Sequence, residues 1–157
     1  MKMRLGEAGH LVVIGVDEGQ TPENAFHVYA QQIHKPEDVV LLVHTIEIHS
    51  PHLYNSIFVR PEIEKAEFEK EKLRFNDLRM KYEKLLEKYQ MNGEYVCVAG
   101  APGTTLCKLA KKYKAAKLVI GSHDKGKVAR TLLGSVSHYV RRHASCEVVA
   151  IKKSTKV

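Results

Sequence analysis

Cysteine is scarce in this chain and shows no pairing pattern: Cys97, Cys107 and Cys146 are the three in 157 residues, and no Cys-x-x-Cys occurs. An odd number without close pairs fits neither a secreted disulfide framework nor a four-cysteine zinc site, so reduced, intracellular thiols are expected. Long apolar runs are missing as well. No stretch approaches the roughly eighteen apolar residues of a membrane span, and the N-terminal MKMRLGEAGH has no apolar core of signal-peptide length. A soluble, cytoplasmic protein without membrane contact is expected. Acidic residues are nearly absent from the last third: Lys108 to Arg142 holds ten Lys/Arg against Asp124 alone, a net +9, while the remainder sums to −2. A solvated helix face accounts for Lys108, Lys111, Lys112 and Lys114. Nucleic-acid binding ranks low, because no aromatic platform interleaves those lysines.

What is present is a steady alternation of strand-like and helix-like segments. LVVIGVD (Leu11 to Asp17) and VVLLVHTIE (Val39 to Glu47) are apolar on both faces, as strands covered by helices on either side must be. Between them TPENAFHVYAQQI reads as a helix, with Thr21 as cap, Pro22 at the first helical position and Phe26, Tyr29, Ala30 and Ile33 on one face. From Glu62 to Gln90, Phe68, Phe75, Leu78, Tyr82, Leu85 and Tyr89 mark the apolar stripe of one long charged helix, expected to pack on its own sheet rather than in a coiled coil. EYVCVAG, a helix Thr104 to Tyr113, the strand KLVIG, a helix Ser135 to His143 and the strand EVVAI follow. Such alternation predicts one α/β domain over residues 1–157, with flexible ends at 1–9 and 153–157. Its core is an open, parallel five-stranded sheet with helices on both faces. At 157 residues it buries roughly two-thirds of its unfolded surface. Ligands of such sheets sit beyond the carboxyl ends of the strands, where strand order reverses. Asp17, Thr45, Gly100 and Gly121 are placed at four of those ends.

GSHDKGKV, Gly121 to Val128, comes one letter from the phosphate loop G-x-x-x-x-G-K-[ST], but Val128 lacks the hydroxyl that would hold magnesium, and the loop follows the fourth strand instead of the first. GVDEGQ after the first strand has the wrong glycine spacing for a dinucleotide fingerprint. A longer pattern fits better: Gly121-Ser122-His123-Asp124, nine residues, then Gly134-Ser135 opening a helix. Free amides at that helix start, its dipole and the Ser135 hydroxyl favour an anion. Lys125, Lys127 and Arg130 lie in the same glycine-punctuated loop.

GSHDKGKVARTLLGSVSHYVRRHASCEVVAI, together with VVIGVDEG and LLVHTIE, resembles the universal stress protein family, whose nucleotide-binding members carry G-x-x-G, nine residues, then G-[ST]. The resemblance implies a Rossmann-like fold of the adenine nucleotide alpha hydrolase type and a homodimer formed through the last strand, CEVVAIKK. It also implies ATP or AMP as ligand, with Mg2+ as the candidate accompanying ion. By the same resemblance Asp17 and Thr45 take the adenine. The remaining nucleotide contacts fall on Gly15, Val16, Gly100, Gly121, Ser122, His123, Asp124, Lys125, Gly126, Gly134, Ser135, Val136 and Ser137. The sequence departs from the family at Asp124, where a glycine is usual. Aspartate seldom adopts positive φ and repels phosphates unless a metal or Lys125 and Lys127 offset it. The alternative is a nucleotide-free dimeric interaction protein of the same fold. No nucleophile with a base and an orienting acid stands out, so any ATP hydrolysis is expected to be slow.

His44, His49 and His52 lack the clustered carboxylate or cysteine of a zinc site and read as chance placement. Cys107 sits near a helix start, which lowers a thiol pKa, but burial beside Leu106 and Ala110 is the expected outcome. Asp17 has a plainer reading too, as a turn-capping aspartate.

Overall fold

The structure is a computed structural model. It describes residues 10–46, 61–122 and 135–153, and, within 61–72, the backbone alone. Strands β1 (Leu11–Val16), β2 (Val39–Ile46), β3 (Asn92–Ala99), β4 (Lys117–Ser122) and β5 (Glu147–Lys152) form one parallel sheet in the order β3-β2-β1-β4-β5. The helices between them are α1 (Gln20–Val28), α2 (Pro61–Lys88), α3 (Pro102–Lys112) and α4 (Ser135–His143). Among the described residues no helix is long and apolar enough to cross a membrane.

The period-two alternation of each strand feeds two cores. Val12, Ile14 and Val16 of β1 point to one face with Val40 and Leu42 of β2, where they meet Phe26 and Tyr29 and the stripe Leu78, Tyr82 and Leu86 of α2. Leu11 and Val13 point to the other face with Leu41 and Val43, where they meet Leu106 and Ala110 of α3 and Val140 of α4. Both faces being covered explains why the central strands carry no polar alternation.

Helix α2 packs on its own sheet through Leu78, Tyr82 and Leu86, while Leu85 and Tyr89 lie at the flank of that core, so the buried stripe runs one position away from Leu85. The side chain of Phe68 falls outside the described residues.

Helix α1 starts earlier than Thr21. Gly19 is its N-cap and Gln20 its first residue, because the Gly19 amide donates to Asp17 Oδ1 and turns the chain into the helix there. Thr21 is therefore a buried helical residue, and Pro22 stands in the first turn instead of at its first position. The α-helical winding also stops at Val28. It widens into a π-helical turn over Tyr29–Ile33, where the His34 amide donates to Tyr29 O at 2.8 Å.

Tyr29 is fully buried, and its hydroxyl donates to Asp38 Oδ2 at 2.9 Å, the same oxygen that accepts the Lys35 amide at 3.0 Å. Asp38→Ala strands the Lys35 amide and leaves the Tyr29 hydroxyl only His34 Nδ1, 3.2 Å away. An expected loss of about 1–3 kcal/mol in urea unfolding follows, with Asp38→Asn, which keeps an acceptor, losing less.

Candidate functional site

Strand order reverses between β1 and β4: β1 is followed in sequence by β2 on one side, while β4 lies on the other. A cleft of about 370 Å³ opens there, beyond the carboxyl ends of β1, β2 and β4. Its floor is apolar, made by Val43, Ile120 and Leu106, with Pro102 at the start of α3. Polar groups stand around that floor. Thr45 comes from β2, Asp17 from the end of β1, and Ser135 and Ser137 from the first turn of α4, whose positive dipole end lies at the same space.

Of the residues assigned to a nucleotide by sequence, Gly15, Val16, Asp17, Thr45, Gly121, Ser122, Ser135, Val136 and Ser137 all line this cleft. Gly100 does not. It ends β3 with φ of +145°, its amide donates to Ile46 O at 2.9 Å, and an added Cβ would stand 2.6 Å from Thr105 Oγ1. Its glycine is required by the turn from β3 into α3. His123, Asp124, Lys125, Gly126 and Gly134 lie outside the described residues, as do His49 and His52.

Gly121 does lie at a close backbone approach, but the approaching chain is the protein's own. A Cβ there would meet the carbonyl oxygen of Thr21 at 2.8 Å and its carbonyl carbon at 2.9 Å. The first turn of α1 thus rests directly on β4, which brings Gly19, Gln20, Thr21 and Pro22 into the cleft wall. Sequence reasoning passed over these four. The signal available was topological, since any residue following the β1 end borders the point where strand order reverses.

Asp17 is exposed, and with Oδ1 engaged by the Gly19 amide it serves as the turn cap of its plainer reading. Oδ2 has no partner among the described residues and remains an acceptor at the cleft rim. The neighbouring carboxylates turn away from the cleft onto α2: Glu18 pairs with Arg74 at 3.0 Å and Glu23 with Lys81 at 2.6 Å. Asp17 is consequently the one charged residue in the described lining.

His44 lies outside the cleft, its Nδ1 3.2 Å from Val16 O and its ring 5.7 Å from that of Phe75. Among the described residues no group of three or more His, Cys, Asp or Glu gathers as for a metal. Cys107 is half-buried against the α3 side of the core, and burial pushes its thiol pKa up, opposite to the effect of a helix start.

A doubly wound parallel sheet with a cleft at its switch point defines an α/β protein of the open-sheet class. The sequence profile of the Universal stress protein family matches residues 10–152, and the chain belongs to that family. It is 33% identical over 76 residues to a universal stress protein of Methanocaldococcus jannaschii, a match covering 48% of this chain and 45% of that protein. The chain spans about half or less of the length of the curated relatives it matches. Its fold is similar to that of a universal stress protein family protein from Arabidopsis thaliana with AMP bound, at a TM-score of 0.68, 22% identity and 91% of each chain. It is also similar to the universal stress protein from Archaeoglobus fulgidus in complex with dAMP, at a TM-score of 0.61, 18% identity, 91% of this chain and 97% of that one.

Proposed function

We propose that the chain is a single-domain adenine-nucleotide module that binds AMP or ATP in the cleft between β1, β4 and α4. Like its neighbours crystallised with AMP and dAMP, it has this fold, and the cleft itself carries the argument. An apolar slot of about 370 Å³ suits a purine, Asp17 and Thr45 offer an acceptor and a hydroxyl at its rim, and the α4 N-terminus offers amides and two serines to phosphate. The donor set therefore fits the ligand. A homodimer through β5 is part of the proposal: β5 is the last strand of the sheet order, and among the described residues no further strand pairs with it. The protein acts in the cytoplasm through its bound state, and hydrolysis, where it occurs, is slow.

The test is calorimetric titration of nucleotide-stripped protein with AMP, and with ATP with and without Mg2+. Saturable micromolar binding is expected. Gly15→Val should weaken it by about tenfold or more, because a Cβ at Gly15 points at Leu106 Cδ1, 3.0 Å away, and its methyls fill the slot. No heat and no thermal stabilisation at millimolar nucleotide would overturn the reading in favour of the nucleotide-free dimer, and gain of binding by Asp124→Gly alone would place the cause at that residue.

A further inference from the structure

Helices α3 and α4 lie side by side on one face of the sheet, joined where Gly103 lets Tyr139 approach: a Cβ on Gly103 would stand 2.9 Å from the Tyr139 ring. Both run back toward the amino ends of the strands, where the Ala116 amide donates to Leu11 O at 2.8 Å. Their last turns are thus at the opposite end of the molecule from the nucleotide cleft.

Six cations crowd this end and outer surface, Lys108, Lys111, Lys112, Lys114, Arg141 and Arg142, and all six are exposed. From Pro102 to Cys146 the sequence offers one acid, Asp124, and Glu147, which opens β5 at this end, lies 3.9 Å from Lys117 and not against any of the six. None of the six takes part in an ion pair among the described residues. Helix dipoles favour a cation at each carboxyl end, but that effect falls off within one turn and leaves Lys108 unexplained.

Against the expectation from sequence that no aromatic platform interleaves the lysines, rings stand among these charges. His143 is exposed and stacked on Tyr139, with centroids 4.1 Å apart and planes at 20°. Its Nδ1 lies 2.9 Å from Tyr139 O, so stack and hydrogen bond together hold the imidazole as a fixed plate beside Arg141 and Arg142. Lys112 Nζ sits 5.2 Å from the Tyr113 ring centre. The large hydrophobics exposed among the described residues, Leu73 and Met80, belong to α2 on the other face, so this surface lacks the apolar side chains with which a membrane-surface helix anchors.

We propose that the outer surface of α3 and α4 docks single-stranded nucleic acid, its lysines and arginines tracking the phosphates and His143 stacking on a base. The site is separate from the nucleotide cleft, and the two stand or fall independently.

The experiment is fluorescence-anisotropy titration of the full chain with a labelled 20-nucleotide oligothymidylate across a salt series. With four to six phosphate contacts, log K should fall against log salt with a slope of about −3 to −4. Lys112→Glu/Arg141→Glu/Arg142→Glu should lower affinity at least tenfold and flatten the slope by about 2, while AMP binding and Tm stay unchanged. Lys108→Glu/Lys111→Glu should act in the same direction, and either charge-reversed protein suffices if the other fails to fold. His143→Ala should cost about fivefold or more with the slope unaltered. Absence of binding at 50 mM salt, charge reversals without effect, His143→Ala without effect, or binding to phosphatidylserine vesicles in place of the oligonucleotide would each overturn the proposal.

Discussion

Gly121→Ala is expected to cost about 2–3 kcal/mol of unfolding free energy, a Tm drop of about 5–10 °C, and to weaken nucleotide binding by tenfold or more. The added methyl lands 2.8 Å from the Thr21 carbonyl oxygen and 2.9 Å from both its carbonyl carbon and its Cγ2. Two of those three atoms are backbone at the start of a helix, so no rotamer change relieves the contact and the first turn of α1 must lift from β4. Because Asp17, Gly19 and Thr21 form the cleft wall, the lift is felt by the ligand as well as by the core. Gly15→Ala provides the contrast. Its methyl meets Leu106 Cδ1 at 3.0 Å, the movable end of a side chain beside open space, and should cost less than about 1 kcal/mol. Urea unfolding of both proteins decides the matter, and a Gly121→Ala loss below about 0.5 kcal/mol would show that α1 does not rest on β4 as described.

That contact also marks where the sequence stops being readable. The doubly wound sheet is legible because LVVIGV and VVLLV are apolar on both faces, and a strand of that kind has no stable place except between helix layers. The α4 start is legible because Ser135 opens a helix after a glycine. Gly121 shows only that something passes close; a single sequence does not distinguish a phosphate from the Thr21 carbonyl. The wall from Gly19 to Pro22 escaped for a related reason. Thr21 followed by Pro22 has the form of a cap and first helical residue, but the N-cap is Gly19, held in the turn before the helix by its amide bonding to Asp17. Leu86 replaces Leu85 in the buried stripe because successive leucines differ by 100° around a helix, and the angle at which α2 crosses the sheet selects between them.

Raising the pH from 9 to 11.5 is expected to remove about 4 kcal/mol of stability. Tyr29 and Tyr82 are both 0% exposed, and both hydroxyls have pKa values raised far above the ordinary value of about 10. Burial is the main cause in each, aided by the Asp38 hydrogen bond at Tyr29 and by the charges of Glu23 and Asp17 at Tyr82. Below pH 10 both rings are protonated, folded or unfolded, and their contribution is complete. Above it the unfolded chain releases two protons that the folded chain retains, so stability falls by about 2.7 kcal/mol per pH unit. Tyr95, whose hydroxyl is also buried without a partner among the described residues, and the half-buried thiols act in the same sense and add to the loss from these two rings. Tyr82→Phe separates the contributions, because the Tyr82 hydroxyl has no hydrogen-bond partner among the described residues. Removing it should leave stability at pH 7 unchanged or slightly higher and cut the part of the alkaline loss carried by Tyr29 and Tyr82 to about half. Tyr29→Phe should halve it too, but from a lower start, having given up the bond to Asp38. Urea unfolding at each pH, followed alongside tyrosinate absorbance at 295 nm, checks this. Full tyrosinate titration near pH 10 in a protein still folded by circular dichroism would mean that these two rings are not sealed between α1, α2 and the sheet.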